Sequence, residues 1–368
     1  MSSVVAPAVV VEEIYDRSKE VKDFDDSKLG VKGLLDSGIT SIPRIFYHPP
    51  ESLPSTTPAN KLTSDYEIPT VDLSRIDTDH RFTIVDQIKE ASSTWGFFQV
   101  INHDVPLDVL NRALLSIKAF NEQPNEVKSK CYCRENERGM TFASNFDLFQ
   151  TKAASWRDTL QMGMDRLDPD KVPEIVRNEL IELDQYLERF AQTLMEMLGE
   201  GLGLERDRLE NMACFERRHL AGHYYPYCPE ADRTVGTKCH TDPSVFTILL
   251  QDQIGGLQVK HGENWVDVQP CPGALVINIG DILQIMSNDI YPSVEHRVVT
   301  NTYPEPRISI ALFFNPSNLE ILYGPLPEVI TPPQKPALYK QFTMEDFMMK
   351  FKSKGLDGKS SMVDYFLL

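Results

Sequence analysis

The feature that most constrains the fold is a set of side chains that must meet although the chain keeps them apart. His240-Thr241-Asp242 is followed at a distance by His296, and soon after by Arg307-Ile308-Ser309. Two imidazoles and one carboxylate can hold a divalent metal on one face and leave the other open, a ligand set that suits non-haem Fe(II). Residues i and i+2 of a β-strand project to the same side. His240 and Asp242 therefore fit a strand edge that aims both into one cavity. The stretch after them, Pro243-Ser244-Val245-Phe246-Thr247-Ile248-Leu249-Leu250, is strand-like. His296 must arrive from a distant strand, which a barrel or sandwich of short strands can arrange. Arg307 and Ser309 repeat the two-residue spacing, and an arginine fork beside a hydroxyl suits the carboxylate of a co-substrate.

The rest of the chain agrees with such an architecture. Residues 83–94 read as a helix running into a strand at Trp95-Gly96-Phe97-Phe98. Residues 173–200 read as a long helix, with Leu183, Leu187, Phe190, Leu194 and Leu198 on one apolar stripe and Gly199, Gly201 and Gly203 at its end. From about 220 to 316 the pattern changes to short strands separated by Gly, Pro and Asn. Helices followed by strands predict an α+β chain with a central β-barrel or jelly roll. Residues 1–20 are expected to be mobile, 43–69 to form an extended connection, and 343–353 to be helical.

Composition removes several function classes. The net charge of −17 argues against a phosphate-binding surface, hence against nucleic acid as a partner. No run approaches eighteen apolar residues, so no membrane span is expected. Val4 to Val11 is apolar, but no basic segment precedes it and Glu12-Glu13 follow, which is not a signal peptide. Six cysteines in 368 residues are too sparse for a disulfide scaffold, so thiols in a cytoplasmic monomer are the expectation. Cys239 and Glu295 each adjoin a ligand histidine, and strand alternation turns both away from the metal.

The order His-x-Asp, distant His, Arg-x-Ser resembles the plant Fe(II)/2-oxoglutarate-dependent dioxygenases. Ile68-Pro69-Thr70-Val71-Asp72-Leu73 and Trp95 through His103 resemble that family's N-terminal region. His223-Tyr224-Tyr225-Pro226, Gly255-Gly256-Leu257-Gln258-Val259 and Asn278-Ile279-Gly280-Asp281 resemble its core. Phe24 to Leu34, with Ile42-Pro43-Arg44-Ile45-Phe46, narrows the resemblance to the 1-aminocyclopropane-1-carboxylate oxidase homologues, whose members mostly modify specialised metabolites. The resemblance implies a distorted double-stranded β-helix (jelly roll) core with surrounding helices. It divides the chain into an N-terminal extension (1–67), a mainly helical region (68–205), the core (206–320) and a C-terminal helical segment (321–368).

The resemblance also implies a chemistry. Fe(II) would be held by His240, Asp242 and His296, and 2-oxoglutarate by Tyr225, Arg307 and Ser309, with ascorbate as reductant. O2 and a small-molecule substrate would complete the reaction, most simply a hydroxylation, with desaturation, ring closure and oxidative demethylation open to the same chemistry, and with succinate and CO2 released. By position in the family pattern, Phe142, Asn145, Ala221, Phe313 and Asn315 would line the substrate pocket. Two alternatives stay open: oxidation of 1-aminocyclopropane-1-carboxylate with ascorbate, and a non-catalytic small-molecule receptor.

The remaining polar residues have plainer readings. His48, His80 and His261 are expected at the surface, His103 in a turn capping backbone groups, and His219 in a structural role. His223 and Asp104 stand where the wider family often has Asn and Gly, and Asp tolerates the left-handed backbone such a turn needs. Asp281 and Asn288 are expected to shape turns.

Overall fold

The structure is a computed structural model that describes residues 15–54, 67–134, 139–354 and 362–368. In chain order the elements are α1 (Arg17–Ser27), α2 (Gly30–Asp36), β1 (Thr70–Asp72), α3 (Arg81–Thr94), β2 (Phe97–Ile101), α4 (Leu107–Asn121), α5 (Asn125–Lys128), β3 (Met140–Ala143), β4 (Asp158–Gly163) and α6 (Glu174–Gly201). They continue with β5 (Arg217–Tyr225), β6 (Thr237–His240), β7 (Phe246–Gln251), β8 (Leu257–His261), β9 (Asn264–Asp267), β10 (Leu275–Ile279), α7 (Asp281–Met286), β11 (His296–Val298), β12 (Arg307–Asn315) and α8 (Met344–Lys354). The α+β expectation therefore holds.

Two sheets face each other. The larger runs β1-β2-β10-β7-β12-β5-β4-β3 and the smaller β6-β11-β8-β9. Phe97, Tyr225 and Val276 of the larger sheet pack with Leu257, Val259 and Val298 of the smaller in one apolar cluster between them. Strand alternation sorts the two faces of the larger sheet. On β12, Ile308, Ile310, Leu312 and Phe314 belong to the core under the helices, which leaves Arg307, Ser309, Ala311, Phe313 and Asn315 on the inward face.

Helices cover the outer face. The α6 stripe is fully in the core, from Leu183 through Leu198, and α6 packs on α3 and α4. Helix α4 in turn lies on β5, β7 and β12. Its approach depends on Gly222, because a Cβ there would overlap the Ile117 side chain.

The larger sheet takes β1 to β4 from before residue 206 and the remaining strands from after it. A boundary at 205/206 therefore cuts one sheet in two and does not separate independent units. The N-terminal segment also differs from expectation. Helix α1 starts at Arg17, within the stretch expected to be mobile; Asp16 caps it by accepting from the Lys19 amide. Val21, Phe24, Val31, Ile45 and Phe46 form a second apolar cluster against Leu148 and Trp156. Burial of these side chains gives the segment a fixed place that its polar composition hides. Of the expected connection 43–69, residues 44–46 and 50–52 form single 3-10 turns. Residues 1–14 and 55–66 lie outside the described residues, so the expectations there, Val4–Val11 included, have no structural counterpart.

Candidate active site

The site forms where the two sheets meet at one end. β6 ends on His240 and β11 begins on His296, and the ladder pairs these two residues directly. Their rings lie 4.2 Å apart between centroids. Asp242 is not on the strand, as the i, i+2 spacing suggests, but two residues past its end. Three hydrogen bonds bring it back. The Asp281 amide donates to the Asp242 carbonyl (2.8 Å), and Thr247 Oγ1 and Asn278 Nδ2 both donate to Asp242 Oδ2 (2.6 and 2.7 Å). The turn needs Gly280, since a Cβ there would strike the Ser244 carbonyl. Asp242 Oδ1 then lies 3.6 Å from His240 Nε2 and 3.6 Å from His296 Nε2.

The tautomers follow from these contacts. His240 Nδ1 lies 2.8 Å from the Lys238 carbonyl, and His296 Nδ1 3.2 Å from the Val294 carbonyl. A carbonyl only accepts, so each Nδ1 carries the proton and each Nε2 presents a lone pair. Burial pushes the His240 pKa down, and the His296 ring beside it adds to that, so the imidazole stays neutral. Burial alone would push Asp242 up. The two histidines, Thr247 and Asn278 outweigh it and hold the carboxyl below its usual range. Two imidazoles and one carboxylate, with ligand atoms all within 4.8 Å, fit a divalent metal with an open side. Cys239 and Glu295 turn away, with the Cys239 thiol donating to Glu295 Oε1 at 3.3 Å.

On the inward face of the larger sheet the ladders set side chains in rows. Arg307 stands opposite Tyr225, Ser309 between His223 and Gln251, Ala311 between Ala221 and Leu249, and Phe313 between His219 and Thr247. The Arg307 guanidinium is buried and donates to the Gly255 carbonyl (2.6 Å), Ser309 Oγ (2.9 Å) and Gln251 Oε1 (3.0 Å). None of these partners is a carboxylate. A buried cation with only neutral acceptors suits an anionic ligand. Gln251 and Thr247, four residues apart on β7, place this cation about 13 Å of backbone away from the Asp242 clamp.

Further along the same face a cavity of about 180 Å3 opens, lined by Cys133, Arg134, Thr141, Ala143, Phe146, Thr159, Gln161 and His219. Of the residues named from the sequence for the pocket, Ala221, Phe313 and Asn315 share this inward face, and the Phe313 ring lies 6.2 Å from that of His219. Phe142 does not. It sits between Thr141 and Ala143 on β3 and points the other way, edge-on to Phe120 at 4.9 Å in the helical core. Asn145 is also committed elsewhere. Its φ is +59°, and its amide is locked on the backbone N–H and C=O of Ser155 (2.9 Å each). Sequence reasoning missed Thr247, Gln251 and Asn278, which clamp Asp242 and Arg307, and Thr159 and Gln161 in the cavity. Parity along β7 and β4 is the signal that finds the strand residues.

Other histidines fall into place. His103 Nε2 meets the Gly273 carbonyl at 2.8 Å and its Nδ1 accepts from the Val105 amide, the expected capping role. Asp104 takes a φ of +63°. Asn288 shapes a turn, accepting from the Leu338 amide and donating to the Pro336 carbonyl. Asp281 starts α7 and accepts from Thr241 Oγ1 (3.2 Å), so it braces the ligand loop more than a turn. His48 is not at the surface. It is buried against the Ala154 carbonyl (3.0 Å), and burial drops its pKa to about 4. His261 is half-buried, stacked 3.9 Å from Trp95. His219 is held neutral by burial, at about 4.

Comparison with known proteins agrees with this geometry. Residues 217–316 match the 2OG-Fe(II) oxygenase superfamily, and residues 68–182 match the family described as non-haem dioxygenase in morphine synthesis, N-terminal. The 1-aminocyclopropane-1-carboxylate oxidase homolog 1 of Arabidopsis thaliana is 45% identical, over 95% of this chain and 96% of the relative. A homolog from Solanum lycopersicum is 44% identical, over 96% and 98%. Among solved structures, JOX2 in complex with 2OG, Fe and JA superposes with a TM-score of 0.80 at 29% identity, covering 92% of this chain and 97% of that one. The rice dioxygenase for auxin oxidation shares the fold at a TM-score of 0.69 and 21% identity. With the metal triad assembled and relatives matched over almost its whole length, the chain belongs to the 2-oxoglutarate- and Fe(II)-dependent oxygenases, in the group of plant 1-aminocyclopropane-1-carboxylate oxidase homologues.

Proposed function

We propose that the chain hydroxylates a C–H bond of a small specialised metabolite, with His240, Asp242 and His296 as the iron ligands and Arg307, Ser309 and Tyr225 as the anchor for the far carboxylate of 2-oxoglutarate. The observation that carries this reading is the buried Arg307 guanidinium, satisfied only by neutral acceptors and facing the same cleft as the triad. Fe(II) with 2-oxoglutarate and O2 supplies the oxidising chemistry, in which substrate, 2-oxoglutarate and O2 become alcohol, succinate and CO2.

The chain's own residues bind, orient and exclude. Asn278 and Thr247 keep one Asp242 oxygen occupied so that the other faces the metal position. Arg307 gives two parallel charge-assisted bonds to a carboxylate, a geometry a lysine cannot copy. Phe313 and Ala221 form the inward wall between this anchor and the cavity, where Thr141, Thr159, Gln161 and His219 offer hydrogen bonds to a substrate. JOX2, solved in complex with 2OG, Fe and JA, supports a reading with all three kinds of ligand in one fold. We place the enzyme in the cytoplasm as a monomer. Six cysteines spread through 368 residues support a reducing compartment; no helix among the described residues is long and apolar enough to cross a membrane.

The test is an untargeted metabolite screen with purified enzyme, Fe(II), 2-oxoglutarate and ascorbate, reading substrate loss together with succinate. A product heavier by one oxygen, formed in step with succinate, is the expected result. Ethylene from 1-aminocyclopropane-1-carboxylate without succinate would replace this reading with the ascorbate-driven one.

A further inference from the structure

A second buried arginine lies in the same cleft. Arg157 immediately precedes β4 and is 7% exposed. By strand alternation it continues the inward row Gln161, Thr159, which places it beside Tyr225 on the next strand. Its Nη1 donates to Thr237 Oγ1 of β6 at 2.6 Å, so the guanidinium bridges from the larger sheet to the smaller. Its charge also lies close enough to the Tyr225 hydroxyl to draw that group's pKa down. Thr237 Oγ1 and the Tyr225 hydroxyl are themselves 2.9 Å apart. Arg157 Nε is buried and has no hydrogen-bond partner, and no described carboxylate lies within 4.0 Å of the side chain.

Tyr225 is thus held between two guanidiniums. Arg157 is on one side, and the Arg307 Cζ lies 5.0 Å from its ring centroid on the other. Burial would raise the Tyr225 pKa, but the two arginines, Arg157 first, outweigh it and bring it down. The direction of the Arg157–Thr237 hydrogen bond follows from the donor inventory. A guanidinium can only donate. It therefore occupies an acceptor position on Thr237 Oγ1. Thr237 and Tyr225 have one proton each and one of them joins the two oxygens; with an acceptor position on Thr237 taken by Arg157, a Thr237 hydroxyl that donates to Tyr225 leaves the Tyr225 proton for the cleft. With Arg307 opposite Tyr225 in the ladder, the carboxylate held by Arg307 is the acceptor in reach.

We propose that Arg157 is a positioning residue of the co-substrate site: by donating to Thr237 Oγ1 it turns the Thr237 proton toward the Tyr225 oxygen and so leaves Tyr225 as a hydrogen-bond donor to the carboxylate that Arg307 holds. This rests on Arg307 being the 2-oxoglutarate anchor. Two like charges in a dry cleft repel, and a bound dianion relieves that repulsion, so Arg157 and Tyr225 contribute to affinity as one unit.

A double-mutant cycle tests the coupling. Calorimetry would measure 2-oxoglutarate binding to protein loaded with Mn(II), with thermal unfolding and Mn(II) affinity as controls for folding. Arg157→Gln and Tyr225→Phe are each expected to weaken 2-oxoglutarate about tenfold, the scale of one charge-assisted bond. The double variant is expected to bind no more than about twofold weaker than the weaker single. Thr237→Val breaks the bridge without touching a charge and is expected to give the same loss as Arg157→Gln; it decides the matter if the arginine variant does not fold. Wild-type affinity in Arg157→Gln or in Thr237→Val, or losses that multiply in the double variant, would overturn the proposal. Wild-type affinity in Arg307→Lys would instead overturn the co-substrate reading on which it rests.

Discussion

At the residue scale, the site is set by how few atoms are left uncommitted. Asp242 Oδ2 is taken by Thr247 and Asn278, both imidazole Nδ1 atoms by carbonyls, and what remains is one carboxylate oxygen and two Nε2 lone pairs aimed at one point. Replacing Asn278 with Ala removes one of the two donors on Asp242 Oδ2. Iron affinity is then expected to fall by about 10–100-fold, as for other partners of metal ligands, with folding retained. A metal titration of the variant that matches wild type would show that Thr247 alone suffices. Arg307→Lys exchanges a two-point fork for a point charge. A rise in the KM for 2-oxoglutarate is expected, with substrate affinity at saturating co-substrate little changed, because charge-assisted bonds contribute about 1.5–3 kcal/mol each. An unchanged KM moves the anchor away from Arg307.

At the scale of elements, alternation on β12 separates two roles on one strand, with even positions under the helices and odd positions in the cleft. Phe313 is an odd position beside His219. In Phe313→Ala the ratio of succinate to oxidised product is expected to rise, since a misplacement of about 1 Å can cost roughly a hundredfold in rate. An unchanged ratio with a stability loss of about 3–5 kcal/mol, typical of a core Phe→Ala change, would make Phe313 packing instead of pocket. Gly222, an even position on β5, tests the other face. Gly222→Val must displace Ile117 of α4, so a loss of about 1–3 kcal/mol in thermal unfolding is expected, with the KM for 2-oxoglutarate near wild type. This parity explains what was legible. Residues on long, regular strands, such as Arg307, Ser309 and Phe313, could be assigned a face from spacing alone. Phe142 could not, because β3 is four residues long and its register against β4 decides which way it points. Asn145 sits in a left-handed turn whose hydrogen bonds to Ser155 close across ten residues, and no local spacing signals that.

At the scale of the whole molecule, the larger sheet draws strands from both halves of the chain, and the N-terminal segment docks through Phe24 and Phe46 on Trp156. The metal triad was readable because its residue types and order are restricted by chemistry. The packing of residues 17–46 was not, because its apolar residues are spread among charged ones and gain their partners from the distant 148–156 stretch and from Cys228. All these parts converge on one cleft with a metal position at one end of a strand and a buried cation at the other. The most direct measurement is succinate formed from 2-oxoglutarate by the purified chain with Fe(II), O2 and ascorbate, compared with His296→Ala. Succinate that requires Fe(II) and disappears in the variant, while the variant stays folded, is the expected result. Succinate formed equally by His296→Ala with one iron per chain would contradict the assignment of His240, Asp242 and His296 as the catalytic metal site.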